Sequence, residues 1–516
     1  MLHLLDKHKK KSSRNSGMIK ASYDAAATTS HNERHWSYAD SLSPDESARP
    51  EVREKLRNRA RYEVLRNSSI GGGMVRMFAN DTVGTSIQLV MGLENEADNR
   101  EVQKVVGYWM DAIDAVEKIR TGKIDKTVSG ETLFRIVTNP SLDHEVMIDL
   151  LPMEADHLSA PVIHDYFNPQ YVDGVHLDRL KNPTAYDILR EHPGSVFGGV
   201  NWQYDTFSRD SVIHWFRRDR PGQHRGVSEV AAALPLFAHR RRFTLATIAA
   251  AETAANRATV LKTDLEPGNS LTEEVDAWAT ENMLSSITLD RNASTVLPIG
   301  WDLSQQSAEH PTTTFAMFDK AIVMELSRCL LMPYETVSGD HSGLSFSGGR
   351  LSRAGYERAV EVERADIKKK ILDVLLSEFL YEAAVEGILP NSVSRMVLDI
   401  ASRVSVRAIA KRMPHSWHFD GFKEPDEVKA ANAAKVRLQS GLTSRESELA
   451  KQGVDIDEID ASAARSFGVS VDEYRRACFS SIMTNGNAVV AGSPTDVISR
   501  LDEIDTAKEE QLVGVE

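Results

Sequence analysis

The 516-residue sequence holds only two cysteines, too few for a disulfide framework or a cysteine-built metal centre. Cys329 lies within an apolar stripe at helical spacing and reads as core packing; Cys478 stands between basic and polar neighbours. No run of about 18 apolar residues occurs, so no membrane span is expected. Positive charge is in deficit: Lys and Arg total 61 against 75 Asp and Glu, a net charge of −14. A chain whose whole surface gripped nucleic acid would be basic, because phosphates are contacted largely by Lys and Arg.

Catalytic signatures are missing too. There is no GxxxxGK[ST] phosphate loop, HExxH, GxSxG elbow or GxGxxG turn. Asp340, His341 and Ser342 resemble a triad only in print: consecutive side chains project in different directions, whereas a triad needs hydrogen bonds of about 2.6–3.2 Å. DIDEID, from Asp455 to Asp460, lacks the glycine and terminal glutamate of a calcium loop and reads as a solvated acidic face. His214, on an apolar strand, reads as a satisfied structural histidine. No catalytic residue, metal or cofactor is expected.

What is present is an ordinary globular composition, 41% hydrophobic and 26% charged, at a length that implies several domains. The most informative stretch is PYETVSGDHSGLSFSGGR, Pro333 to Arg350. Before it, Phe315, Phe318, Ile322, Leu326, Cys329 and Leu330 recur at helical steps. After it, Leu351 to about Val385 contains no proline and predicts a helix about 55 Å long. Loops of this length inside a domain are uncommon, and are functional or disordered.

Elsewhere, Arg49 to Arg66 predicts an amphipathic helix ending before a flexible Gly71, Gly72, Gly73. Val75 to about Phe216 mixes strand-like SIQLVM and EVMIDLL with a helix near Glu101 to Ile119. Val227 to Arg257 predicts a helix that Pro235 kinks or restarts. Thr259 to Ser304 reads as a small α/β insertion, and the tail from Asp426 as helices separated at Gly441, with Thr443 or Ser444 as N-cap. Lys7, Lys9, Lys10, Lys11, Arg14 and Lys20 make a basic N-terminal arm whose charges interrupt any signal-peptide core.

Together these stretches resemble the lambda-type family of tailed-phage portal proteins. The resemblance rests on a strand histidine, His214, followed by Arg220, Pro221, Gly222, Gln223, Arg225 and Gly226; on Pro333, Tyr334 and Glu335 leading through Gly339 and Asp340 to Arg350; on YDAAATTSHNERHW and LRNRARYEVLRNS; and on the block from Trp417 to Pro425. One departure is the run Leu344, Ser345, Phe346, Ser347, where the family has a polar N-Y-S-S.

The resemblance implies an α+β portal fold. A basic arm and the start of the wing fall in 1–48, the wing in 49–225, stem helices in 226–258 and 305–332, and the α/β clip in 259–304. The tunnel loop is 333–350, the long helix and wing return 351–425, and the mainly helical crown 426–516. It also implies a non-enzymatic subunit of a twelve-fold ring at one vertex of the phage head, assembled in the host cytoplasm. Its partners would be double-stranded DNA, the terminase large subunit, major capsid and scaffolding protein and the head-tail adaptor, with no membrane. The loop residues His341, Ser342, Leu344, Phe346 and Arg350 would face DNA, and Asp264, Glu266, Glu273 and Glu274 on the clip would face the motor. Net acidity is compatible with a channel through which DNA slides. Arg240, Arg241 and Arg242 spread around a helix and cannot all touch one partner; alone they would be solvated, and in a ring some would meet a neighbouring subunit or DNA. Two other classes remain: a different ring-forming head or tail protein, and a hydrolase with dispersed catalytic residues.

Overall fold

The computed structural model describes residues 30, 33–158, 168–196, 203–255, 260–263, 301–304, 315–422, 427–454 and 456–483. A single turn, α1 (Pro44–Ser47), leads into α2 (Pro50–Ala60), with Pro50 at the first helical position, where its missing N–H is no loss. The chain continues through a wider π-helical stretch, Arg61–Arg66. The helix expected from Arg49 to Arg66 is therefore present, but the three glycines after it are not a flexible turn. Ser68 accepts a hydrogen bond from the Gly71 amide (3.0 Å) and caps α3 (Ser69–Val83), which contains all three. A β-carbon at Gly71 would lie 3.0 Å from Val64 Cγ1 and 3.1 Å from Phe237 Cε1, so this glycine permits close helix packing.

Strand β1 (Ile87–Met91) is followed by α4 (Glu96–Ala112) and α5 (Ala115–Ser129). The single helix expected near Glu101 to Ile119 is thus two, divided at Asp114, whose φ of 50° is left-handed. Asp tolerates that conformation better than most residues. β2 (Glu131–Thr138) is the centre of an antiparallel sheet between β3 (Ile148–Glu154) and β8 (Val212–Phe216), with Phe134 opposite Pro152 on one side and Ile213 on the other. A second antiparallel sheet contains, in order, β4 (Tyr171–Val172), β5 (Val175–Leu177), β6 (Pro183–Leu189) and β7 (Tyr204–Ser208).

Next comes a helical section: α6 (Leu234–Ala255), the strand pair β9 (Val260–Thr263) and β10 (Trp301–Ser304), α7 (Phe315–Arg328), α8 (Tyr334–Ser338) and α9 (Phe346–Ile367). A π-helical turn, Lys368–Leu372, joins α9 to α10 (Asp373–Val385) with right-handed helical dihedrals at both joints. The long helix expected to Val385 is continuous in direction of chain, though not uniform in winding.

After α11 (Asn391–Ala401) the chain returns to its beginning, because β11 (His415–Phe419) pairs antiparallel with β1, Ile87 opposite Phe419 and Met91 opposite His415. Asp420 secures the junction by accepting from the Thr85 amide (2.6 Å) and the Ser86 hydroxyl (2.7 Å). Four further helices close the described chain: α12 (Glu427–Gln439), α13 (Arg445–Ala450), α14 (Ile456–Phe467) and α15 (Val471–Met483). Gly441 is left-handed (φ 68°), and Ser444 caps α13 by accepting from the Ser447 amide, as the sequence predicts.

The acidic DIDEID stretch is a solvated face only in part: Glu458 is exposed, but Asp460 is fully buried, and its two oxygens accept from Arg445 (2.5 Å) and Arg475 (2.7 Å). Spacing alone could not locate two arginines fifteen residues to either side.

The largest core packs α4, α5 and the inner face of the β3-β2-β8 sheet against the end of α9, α10 and α11. Trp109 lies 4.7 Å from Phe379 between ring centroids, and its indole N–H donates to Ile148 O at 2.8 Å. A second core gathers Val64, Met74, Phe78, Phe237, Leu326, Leu330, Tyr356 and Val360 from the π-helical stretch, four helices and the turn after α7. Half-buried Cys329 packs on that core, and burial pushes its thiol up to about 11, so it is an inert packing residue.

Candidate functional site

Pro235 is the second residue of α6 and follows a 3₁₀ turn, Ala231–Ala233; it restarts the helix and does not kink it. α6 and α7 run antiparallel. Phe243 stacks on Phe315 (5.4 Å, 15°) and meets Phe318 edge-on (5.0 Å), while Arg240 grips Asp319 through Nε (2.8 Å) and Nη2 (3.1 Å). Arg241 lies 3.5 Å from Glu63 and over the Tyr62 ring. Of the three consecutive arginines, two therefore have acidic partners within their own chain, and Arg242 is exposed. Between the helices, β9 and β10 pair with Val260 opposite Ser304 and Thr263 opposite Trp301. They form the foot of the small insertion; Asp264, Glu266, Glu273 and Glu274 lie outside the described residues.

The segment from Pro333 to Arg350 is far more structured than an eighteen-residue loop. Pro333 fixes the start of α8, and Gly339, at φ 71°, ends it. Ser345 accepts from the Gly348 amide (3.2 Å) and caps α9, which takes in Phe346 and Arg350. Only residues 339–345 are irregular. Within them, Asp340 Oδ1 accepts from the Ser342 amide (3.0 Å) and hydroxyl (2.6 Å), and those bonds hold the Asp340 carboxyl below its ordinary range. Ser342 thus donates to Asp340 and not to His341, so no triad forms. His341 and Ser342 are exposed and Leu344 is half-buried. Arg350 is exposed on the first turns of α9, five residues from the capping serine. The glycines at 348 and 349, which read as loop residues, are helical because Ser345 and the amides it satisfies define the helix start upstream of them.

The segment leading into α6 is held by two buried charge clusters. In the first, Glu131 at the start of β2 is completely buried and accepts from Arg225 Nε (3.0 Å) and Nη2 (2.7 Å), the Gly226 amide (2.7 Å) and His214 Nε2 (2.9 Å). Arg225 also bonds Asp173 (2.7 Å) and Leu158 O (2.9 Å), and Arg57 stands 3.6 Å from Glu131. Burial alone would raise the Glu131 pKa, but Arg225 and His214 outweigh it and hold the carboxyl well below its usual range. Burial lowers the His214 pKa in spite of Glu131, so the ring is neutral near pH 7. Gln223 braces the turn: its carbonyl oxygen accepts from the Asp219 amide (2.9 Å), and its NH₂ donates to Arg225 O (2.8 Å). Gly130 and Gly226 lie back to back, since a β-carbon at Gly226 would be 2.2 Å from Gly130 O.

In the second cluster, Lys126 bonds Glu229 (2.6 Å) and Glu363 (2.9 Å), and Lys123 bonds Glu363 (2.8 Å) with its ammonium 4.1 Å from the Phe78 ring centroid. Burial pulls Lys123 down to about 8. Burial opposes ionisation of Glu363, but the two lysines bring it to about 2. Three segments are tied here: α5, the approach to α6, and α9. The sequence pointed to Arg225, Gln223, Gly226 and His214; their partner Glu131 and the Lys123, Lys126, Glu229, Glu363 set carried no local signal, since the members come from four separate regions.

Among the described residues one group with metal-ligand chemistry exists, Glu154, Asp156 and His192. Arg61 Nη2 already lies 3.1 Å from Glu154 and 2.7 Å from Asp156, so a guanidinium holds the position a cation would take.

What these features define is a mixed helix-and-sheet chain in which an antiparallel helix pair is approached through buried ion pairs. The model of the lambda family of phage portal proteins matches residues 29–364, and the chain belongs to that family, which is structural and not enzymatic. A probable portal protein of Halomonas phage phiHAP-1 is 27% identical over 291 residues, 55% of this chain and 53% of that protein. The match thus spans about half the length of the curated relative. A chain in the virion of a native gene transfer agent particle aligns at 14% identity with a TM-score of 0.42, covering 77% of this chain and 93% of that one. One in the neck of the empty particle, computed with C6 symmetry, aligns at 16% and 0.42, covering 77% and 92%.

Proposed function

We propose that this chain is a portal subunit, one member of a closed ring at a single vertex of a phage head. The ring passes double-stranded DNA during packaging and ejection, and docks first the terminase large subunit and later the head-tail adaptor. It assembles in the host cytoplasm with scaffolding and major capsid protein and remains in the virion. The terminase supplies the ATP work.

The observation that supports this reading best, beyond family membership, is the series α6, strand pair, α7, α8, short loop, α9, with the approach to α6 and α9 itself tied together at the Lys123, Lys126, Glu229, Glu363 cluster. In it, residues 226–258 and 305–332 are the stem, 259–304 the clip and 339–345 the part of the tunnel loop able to move. His341, Ser342 and Leu344 stand at its tip, and Phe346 and Arg350 on a helical shoulder behind it. Such a collar touches DNA from all sides by steric and weak polar contact, in keeping with a net charge of −14. The acids Asp264, Glu266, Glu273 and Glu274 face the motor.

Two experiments test this. Purified protein, alone and with scaffolding or coat protein, is imaged by negative stain; persistent monomers in every condition count against the ring. Replacing residues 340–344 by a short Gly-Ser link, which spares the Ser345 cap, is expected to leave ring yield unchanged and to reduce protected DNA length per procapsid. Wild-type packaging would reduce this loop to a linker; loss of rings would make it a subunit contact.

A further inference from the structure

The segment that leads into α2 holds to the body by very little. Residues 33–43 are exposed, and no described residue before Leu56 enters any of the hydrophobic cores. Among the described residues, the polar bonds that reach residues 33–47 from beyond α2 come from two residues of one turn. Arg220 Nη2 donates to Leu42 O (3.0 Å), and His224 meets Asp45 of α1 twice: its backbone N–H donates to Oδ1 (2.9 Å) and its ring Nδ1 to Oδ2 (2.8 Å). α2 has separate anchors, since buried Arg53 and Arg57 pair with Asp173 and Asp156.

The other ring nitrogen of His224 is engaged as well. Nε2 lies 3.1 Å from Lys181 O in the β5–β6 loop, where Lys181 takes a left-handed φ of 64°. A carboxylate and a carbonyl have no proton to give, so the two bonds together require a proton on each nitrogen, which is the imidazolium. A neutral ring donates once and turns a lone pair on the second oxygen. His224 is buried, so the lost bond is not handed to bulk water. The neighbouring charges have other partners. On α1, Glu46 is taken by Arg49 (2.9 Å), and from α2, Arg53 adjoins Asp45 while bonded to Asp173. In the β5–β6 loop, Asp178 accepts from the Leu180 and Asn182 amides, and Lys181 Nζ donates to Pro169 O. In its own turn, Arg218 opposes the ring's charge and Asp219 pairs with Arg217 (2.8 Å).

We propose that His224 is a proton-operated clasp, closed as the imidazolium and opened by loss of one ring proton, that decides whether residues 33–47 lie against its turn or swing free from α2. The bond to Asp45 raises the His224 pKa above its ordinary 6.5, against burial and Arg218. Burial would raise the Asp45 pKa, but His224 holds it below 3.8, so the carboxylate stays ionised through the neutral range. The sign follows: the clasp is fully closed below pH 6.5 and is lost as pH rises through the raised folded value. Opening a segment that buries no apolar core costs little, so one charge-assisted pair is enough to govern it. His415 also stands between two acceptors, Met413 O (2.9 Å) and Asp373 (3.2 Å), but it lies on β11 beside the core residue Trp417, and no loosely held segment depends on it.

The test is residue-resolved hydrogen exchange on the full chain at about pH 6 and about pH 9, corrected for the intrinsic base-catalysed rate, with isotope-labelled histidine followed by NMR over the same range. Protection of the Ser47, Ala48 and His224 amides is expected to fall about tenfold across it, the order of one charge-assisted hydrogen bond, while amides inside α2 keep theirs. At the lower pH both ring nitrogens of His224, assigned by the signal missing from His224→Gln, are expected to carry protons. His224→Gln and Asp45→Asn are expected to show the low, open protection at both pH values. Protection that is flat with pH in the wild type, or that falls as steeply in His224→Gln, overturns the proposal, as does a His224 ring with one bare nitrogen at about pH 6. If a variant loses α2 protection as well, the wild-type titration decides: a ring midpoint above 6.5 that coincides with the loss of protection upholds the clasp, and any other midpoint overturns it.

Discussion

Replacing Glu131 by Gln tests the buried cluster before α6 most sharply. The substitution keeps shape and removes charge. One of its two oxygens becomes an NH₂ that faces Arg225 Nη2 or the Gly226 N–H, donor against donor, while Arg225 and nearby Arg57 lose their shared anion. Breaking a fully buried pair by removing one partner costs about 3–5 kcal/mol, a large share of the 5–15 kcal/mol typical of a folded domain. At a urea slope of about 3 kcal/mol per M, the unfolding midpoint should fall by roughly 1–1.7 M. Because a chain with several cores need not unfold in one step, tryptophan fluorescence should be accompanied by pulse proteolysis read on peptides from β2 and β8. The double variant Glu131→Met, Arg225→Met removes both charges and should recover at least half the loss, since apolar replacement of a whole buried pair is often neutral. The sign with pH also follows. Glu131 is depressed when folded, so its contribution is complete above the ordinary value of 4.5 and is lost as pH falls through the depressed one. The Gln variant should therefore show a flatter acid limb. A midpoint unmoved within about 0.3 M, or a double variant as unstable as the sum of the singles, would refute the reasoning.

Other outcomes are equally definite. Gly226→Ala places a methyl 2.2 Å from Gly130 O, a backbone atom that cannot swing aside, and should cost more than about 3 kcal/mol, seen as loss of soluble protein. Ser345→Ala should cost about 1 kcal/mol and speed exchange at the Gly348 amide without altering the cores. Arg240→Ala should loosen α6 from α7 and raise proteolysis of that hairpin, whereas Arg242→Ala should not. His214, whose pKa burial lowers, favours folding above the unfolded value of 6.5 and less so as pH falls below it. His224 and His415 are raised and act in the opposite direction, so the difference between wild type and His214→Asn isolates the slope.

Local pattern was enough for elements whose causes are local. Pro235 restarts α6, Ser444 caps α13, and alternating SIQLVM is β1, because a proline ring, a hydroxyl or a two-residue period acts within a few residues. Gly71 to Gly73 misled for the opposite reason. Glycine reads as flexible until a neighbour such as Phe237, far along the chain, requires its missing side chain. The motif from Arg220 to Gly226 was legible as a unit, yet its purpose was not, since Glu131 and Asp173 reach it from other parts of the chain. Asp460 failed in the same manner: exposure is a tertiary property, and an acidic run says nothing of the arginines that bury it.

The short span between α8 and α9 sets a limit on travel. Residues 339–345 have a contour of about 25 Å at ~3.5 Å per residue; doubled back between fixed helix ends, their tip moves no farther than about 12 Å from its anchors. Any wider excursion must be drawn from α9 itself, whose opening turns contain Gly348, Gly349 and Gly355 and unwind at little cost. The Ser345 cap is then a catch on a short reel of chain: closed, it fixes the aperture of the collar, and released, it lets out one or two more helical turns.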